Sequence, residues 1–317
     1  MIEVQTQPHS RLRRNLLSVA LPTLLIVGVT IVGIVYRFTA ERDRVTERLD
    51  AIAQARSLQV ADWLRERQDD LAYLATSEFI ATAYHQWHYR HDPESGLKLA
   101  RRLDEFMVHK SYPQVVLVDD GKGVVTWNSD ADSLDLDLLL GRLDPLEEGT
   151  GRSQRIGPYL DHEGRLRLDL VARLAGRDGK RGPLLVLPTD PDDTLMPRLQ
   201  SWPLPSASGE ILLFRRDGDA VLFLNPLHHR ADSAARLRLP LADGSQISAR
   251  VLLRQAETGT LIEALDYRDV PVLGTARPVM GTDWYVVAKL DRVECYAGAR
   301  QDALFIGLAG LDRKSVV

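Results

Sequence analysis

Cysteine is nearly absent from this chain: Cys295 is the one residue in 317. An intramolecular disulfide is therefore excluded, and so is any thiolate metal cluster. Excess positive charge is missing too. Lys and Arg number 40 against 44 Asp and Glu, for a net charge of −4, a balance that argues against a nucleic-acid surface. The sequence has no G-x-S-x-G elbow, no phosphate-binding glycine loop and no H-E-x-x-H motif, so no catalytic residue, metal ligand or cofactor is assigned. His85, His88 and His91 fall at successive threes around Trp87. On a helix the outer pair diverges by roughly 120°, too far for the three or four convergent ligands a metal needs.

Charge is also missing from Leu16 to Tyr36. At a helical rise that run spans roughly 30 Å, the thickness of a bilayer core. Arg11, Arg13 and Arg14 precede it, and such clusters stay cytoplasmic. A signal-peptide core is shorter, about 7–15 residues, and ends in a small-x-small site. Here the run passes into Arg37, Phe38 and Thr39 instead. Pro22 is tolerated in a membrane helix. The expectation is a cytoplasmic start over 1–14, a transmembrane helix over 15–37, and the rest of the chain in the periplasm, anchored in the lipid bilayer of a bacterial inner membrane. A second apolar run, Ala303 to Leu311, stops at Asp312, Arg313 and Lys314. It reads as the start of a second crossing, 303–311, cut short. Residues 312–317 resemble the translation of a short-read sequencing adapter and read as a foreign tail.

Proline and glycine are absent from Glu41 to Ser77. Val45, Leu49, Ile52, Val60, Trp63, Leu71 and Leu74 recur at spacings of three, four and their sums, one stripe of a long helix. This predicts a stalk over 38–77. Its later half, Trp63 to Leu74, is expected to pack on its own domain. The earlier half, with Val45, Leu49 and Ile52, is expected to pair with a second subunit in a homodimer.

Beyond the stalk a pattern occurs twice. Leu97 to His109 reads as a helix, followed by a hairpin from Val115 to Asn128 around Asp120-Gly-Lys-Gly123. Arg165 to Leu174 and Pro183 to Leu187 read as strands about Gly176-Arg-Asp-Gly179. The second half has a short helix near Leu195 to Gln200 and a hairpin from Glu210 to Asn225. Strands follow at Gly259 to Asp266, Val270 to Pro278 and Trp284 to Leu290. The expected fold class is α+β, with two tandem modules over 78–192 and 193–291, each an antiparallel sheet, and an exit helix over 292–302.

The Val115–Asn128 hairpin, Glu210 to Asn225, and Thr282-Asp-Trp-Tyr-Val-Val-Ala-Lys-Leu-Asp291 carry a resemblance. With the stalk and the paired apolar runs, they resemble the double Cache sensor domains of bacterial receptors, whose two modules are PAS-like. The resemblance implies the periplasmic ligand-sensing region of an inner-membrane receptor. Leu199-Gln-Ser-Trp-Pro203, Leu213-Phe-Arg-Arg-Asp-Gly218 and Leu222-Phe-Leu-Asn-Pro-Leu-His228 look like the periplasmic part of receptors that feed PAS modules joined to histidine kinase or diguanylate cyclase domains, and a sensor histidine kinase is the expected output. A diguanylate cyclase, a phosphodiesterase or a chemoreceptor is the alternative output. A membrane-anchored envelope enzyme or an assembly protein is the alternative from another class.

In double Cache receptors a small-molecule ligand enters the membrane-distal module, between the sheet and the loops over it. The residues of this chain that would line such a pocket are Tyr112, Trp127, Asn128, Arg155, Tyr159, Asp161 and Asp169. Trp127 and Tyr159 would give flat walls, Arg155 a carboxylate clamp, and Asp161 or Asp169 an ammonium partner. The amino-acid-binding pattern of the family, an arginine followed by a Trp-Tyr pair, is absent from this module. Trp284-Tyr285 lies in the other one, without that arginine, so an amino-acid ligand is not expected.

Overall fold

In a computed structural model the backbone is described for residues 9–119, 124–128, 136–143, 152–242, 244–298 and 301, and the side chains from residue 24 on, apart from residues 26, 124–128, 136 and 138. One helix, α1 (His9–Ala75), runs without a break through the apolar run and the stalk. Two helices follow it, α2 (Glu78–Arg90) and α3 (Pro93–Lys110). Ser77 caps α2 by accepting the Ile80 N–H, and Asp92 caps α3 by accepting that of Glu94, with Pro93 at the first turn. His91 and Ser111 end these helices in the left-handed conformation.

The first sheet is formed by β1 (Val116–Asp119), β2 (Val124–Asn128), β3 (Ser153–Leu160), β4 (Leu166–Arg173) and β5 (Leu184–Thr189), with α4 (Leu136–Leu140) between β2 and β3. Two short helices, α5 (Pro191–Thr194) and α6 (Met196–Gln200), lead to the second sheet. That sheet has β6 (Glu210–Asp217), β7 (Ala220–Phe223), β8 (Arg238–Pro240), β9 (Ile262–Leu265), β10 (Pro271–Pro278) and β11 (Trp284–Asp291). Helix α7 (Ile247–Leu252) lies before β9, and α8 (Arg292–Cys295) follows β11.

Every strand pair is antiparallel. The first sheet has the order β2-β1-β5-β4-β3; the second has β8-β7-β6-β11-β10-β9. Apart from the added edge strand β8, the two share one wiring. The repetition seen in sequence is thus a repetition of topology. Strands β3 and β8 and helix α7 are additions to the sequence reading.

Helix α1 fastens both modules. Its apolar stripe forms one continuous core with the inner faces of both sheets. At the second sheet, Arg277 reaches Asp50 through Nε at 2.8 Å and Nη2 at 2.5 Å, and the Ser57 hydroxyl donates to the Pro278 carbonyl at 2.5 Å. At the first module, Trp63 Nε1 donates to Thr194 Oγ1 at 3.1 Å. This corrects one expectation. Val45, Leu49 and Ile52 are buried against their own chain, so they are not the face offered to a second subunit. The periodicity was that of a long helix, but periodicity does not say which surface covers the stripe.

Among the described residues no helix is long and apolar enough to cross a membrane. On the part of α1 that precedes both modules, Leu24, Leu25, Val27, Val29, Ile31, Val32, Val35 and Tyr36 are all exposed. The run from Ala303 and the tail at 312–317 lie outside the described residues.

Candidate functional site

The two faces of the first sheet differ. On β4, Leu166, Leu168, Leu170 and Ala172 enter the core shared with the helices. The alternate positions face outward. That outer face gathers Val116 and Val118 of β1, Ile156 and Tyr159 of β3, Val171 of β4, and Leu184 and Val186 of β5. Leu139 of α4, with Leu140 and Leu143, covers them.

One carboxylate sits on this apolar face. Asp169 is 1% exposed, and the Tyr159 hydroxyl donates to its Oδ2 at 2.5 Å. No other donor reaches it among the described residues. Burial pushes the Asp169 carboxyl up to about 6, even though the Tyr159 hydrogen bond and the Arg167 charge both pull it down. The strand that delivers Tyr159 is irregular. Ile156 pairs with Asp169, but Tyr159 pairs with Arg167, so β3 carries a bulge between them. Strict alternation from Ile156 would turn Tyr159 inward; the extra residue restores it to the outer face beside Asp169. Gly157 makes this bulge at φ +109°, where a Cβ would stand 2.8 Å from the Arg167 carbonyl oxygen.

The segment after α4 closes over the same place. The Arg142 guanidinium lies 5.6 Å from the Tyr159 ring centroid, and Gln154 Nε2 donates to the Arg142 carbonyl at 2.9 Å. Among the described residues the arrangement is a covered apolar face holding one buried anion, with one cation on the cover and no nucleophile–base pair. Its chemistry suits binding.

The residues named from sequence are not all brought together. Tyr159 and Asp169 are in contact. Asp161 lies at the β3–β4 turn, where it accepts the backbone N–H groups of Glu163 and Arg165 and the Nε groups of Arg165 and Arg167. Burial pushes its carboxyl up, but these donors outweigh burial and hold it at about 2. Tyr112 lies on the helix side. It stacks on Phe106 at 5.4 Å and donates to Asp70 Oδ2 at 3.0 Å, beside a cavity of about 350 Å³ lined by Arg67, Lys110 and Asp193. Arg155 points to the second module, with its guanidinium 4.8 Å from the Trp284 ring centroid. Trp127 pairs with Leu117 and Asn128 with Val116 in the β1–β2 ladder; their side chains lie outside the described residues. The sequence reading missed Arg142 and the leucines of α4. Their only signal was a short Leu-rich stretch, 138–140, inside a polar connection.

The second module fills its equivalent face with its own side chains. Phe214, Phe223, Leu227, Leu237, Ile247 and Val251 pack there as a separate core. A buried ion cluster closes one end: Lys289 Nζ lies 2.9 Å from Glu210 and 3.0 Å from Asp266, while Tyr267 and the His228 N–H both donate to Glu210. His228 and His229 have no ligand-facing arrangement there.

No family model matches this sequence, and no curated protein matches it significantly. Solved structures do match. The sensory domain of the Campylobacter jejuni chemoreceptor Tlp3 (CcmL) with isoleucine bound superposes with a TM-score of 0.56 at 12% identity, covering 82% of this chain and 98% of that one. The ligand-binding domain of Tlp3 in complex with L-valine gives 0.54 at 15% identity over 82% and 98%. The ligand-binding domain of the Pseudomonas aeruginosa amino acid chemoreceptor PctB in complex with L-Arg gives 0.51 at 17% over 81% and 99%. The fold is that of the double Cache sensory domains. Within this fold the module at the far end of α1 holds the covered anionic face, and the module nearer the apolar run is packed shut.

Proposed function

We propose that this chain is the periplasmic ligand-sensing region of a bacterial inner-membrane receptor, and that the membrane-distal module binds a small molecule bearing an ammonium group. The observation that carries this is Asp169: a carboxylate on a buried apolar face with a single hydrogen-bond donor. Burying an anion without a cationic partner is unfavourable, and an ammonium group supplies that partner. Arg142 on the cover would take a carboxylate of the same ligand. A free amino acid or a similar zwitterion is therefore the ligand class. The amino-acid complexes of Tlp3 and PctB support it. The arginine in this reading comes from the covering segment, not from the Arg…Trp-Tyr pattern sought in the sequence.

Among the outputs considered from sequence, those structures support the chemoreceptor alternative; nothing in them favours a histidine kinase. The exposed apolar side chains from Leu24 to Tyr36 support a helix seated in lipid, since water is a poor solvent for so many together. The receptor is paired as a homodimer through the other face of α1, where Ala51, Leu58 and Arg65 are exposed at heptad spacing.

A panel of amino acids, their decarboxylated amines and their N-acetyl derivatives tests the ligand class by thermal shift on the full chain in detergent. Amino acids should stabilise, by about 2.7 kcal/mol at a hundred times the dissociation constant. N-acetylation and Asp169→Asn should each abolish the shift, and Arg142→Gln should weaken binding of the acids but not of the amines. Hits without an amine that bind Asp169→Asn equally well would overturn the assignment.

A further inference from the structure

Two arginines meet between the modules without a full set of acceptors. Arg155 leaves β3 on the inner face, at the position paired with Leu170, and lies over Trp284 of β11. Trp284 pairs with Arg215 of β6, which places the second arginine beside the same ring. Both guanidiniums approach one carboxylate, Asp283. Arg155 Nη2 is 3.9 Å from its Oδ1, and Arg215 Nη1 is 3.8 Å from its Oδ2. Neither distance makes a hydrogen bond. The Asp283 side chain is 58% exposed, whereas those of Arg155 and Arg215 are only 16% and 29% exposed. Arg215 Nε is buried with no acceptor among the described residues. Burial pushes the Arg155 pKa down, Asp283 pushes it back up, and the Arg215 charge lowers it again.

The junction therefore holds two positive charges, sheltered and near one another, against one negative charge that sits toward water and touches neither closely. Guanidiniums do not neutralise themselves by losing a proton. Their rigid forks match the oxygens of a carboxylate or a phosphate, and the Trp284 ring under Arg155 holds that fork in place. We propose that this inter-module junction is an anion-binding site, in which one small oxyanion bridges Arg155 of the distal module and Arg215 of the proximal module. The bound anion would tie the two modules together across Trp284. The site is separate from the outer face that carries Asp169, and it stands whether or not that face binds an amine.

The test uses the full chain in detergent with two probes, inorganic phosphate and succinate, each compared with chloride at matched ionic strength. Isothermal titration and thermal unfolding are followed together. At least one probe should bind saturably and raise the melting temperature above the chloride control; which one does so separates a phosphate-type from a carboxylate ligand. Arg155→Gln and Arg215→Gln should each weaken binding by about tenfold or more, the scale of a lost charge-assisted contact. Asp283→Asn keeps both arginines and removes the competing carboxylate, so it should tighten binding severalfold. An adventitious ion only would give equal shifts in wild type and all three variants, and that result overturns the site. So would weaker binding in Asp283→Asn, or no difference between either probe and chloride.

Discussion

Replacing Asp169 by Asn should make the protein more stable at neutral pH while removing its ligand. The carboxyl rises from 3.8 to about 6 because it is buried. At 1.36 kcal/mol per pH unit, ionising it in the folded state costs about 3 kcal/mol at pH 8. Asn is neutral, nearly the same shape, and still accepts the Tyr159 hydroxyl. Its amide brings donors that need partners, worth about 1 kcal/mol on the unfavourable side. The net gain is therefore about 2 kcal/mol, or roughly 3 °C in melting temperature for a protein of this size. The sign follows from proton linkage. A carboxyl raised in the fold binds more protons folded than unfolded, so the wild type is least penalised below pH 3.8 and loses stability as pH rises through 6. The advantage of Asp169→Asn should then be full at pH 8, shrink through pH 6, and vanish near pH 4. Thermal melts at these three pH values, without ligand, read it directly. An Asn variant that is less stable at pH 8, or a difference independent of pH, would refute the claim that ionising the buried Asp169 costs the fold stability.

Single cysteines in a Cys295→Ser background test the subunit pairing: residues 51 and 58 should crosslink across subunits and residues 49 and 52 should not, because Leu49 and Ile52 are buried in their own chain whereas Ala51 and Leu58 are exposed. Equal crosslinking at all four would reject a defined helix pair. Topology is read by reporter fusions after Asn225, which should be active as a periplasmic phosphatase and silent as a cytoplasmic reporter; the reverse would remove the receptor reading.

Much of the fold was legible because its signals are local. The stripe from Val45 to Leu74, the hairpins around glycine turns and the closing strand at Trp284 each follow from spacing of three and four, or of two, along the chain. The site was harder. Tyr159 and Asp169 were among the residues chosen, yet what joins them is a bulge at Gly157 that changes the parity of β3. Placing Arg155 and Tyr159 in one pocket assumed a single surface. Positions four apart on a regular strand do share a face, but the bulge turns these two apart, so that Arg155 faces Trp284 while Tyr159 faces Arg142. Tyr112 was drawn to Asp70, more than forty positions away along the chain, a pairing that spacing cannot show. The direction of the Val45 stripe failed for the same reason: what covers a face is a tertiary fact.

The same bulge would give the proposed distal site a way to be felt at the exit. A ligand can bias only an element that it contacts differently in two states. Strand β3 would be that element, with Tyr159 beside Asp169 on one face and Arg155 on the junction face. Arg155 rests on Trp284, the first residue of β11, and β11 runs unbroken to Asp291 and into α8. There the exit is held rather than loose. Glu294 accepts the Ser206 hydroxyl at 2.7 Å, the Ala207 N–H at 3.2 Å and the Ser208 N–H at 2.9 Å, and the Tyr296 ring stands 5.7 Å from Phe38 of α1. Helix α1 is itself pinned to β10 by Asp50 and Arg277. A shift of β3 therefore has a packed path to the exit through β11, while α1 stays fixed to the same sheet. Should the distal module bind as proposed, a shift of β3 would enter β11 at Trp284 and reach α8 and α1 together, through the one sheet that holds both.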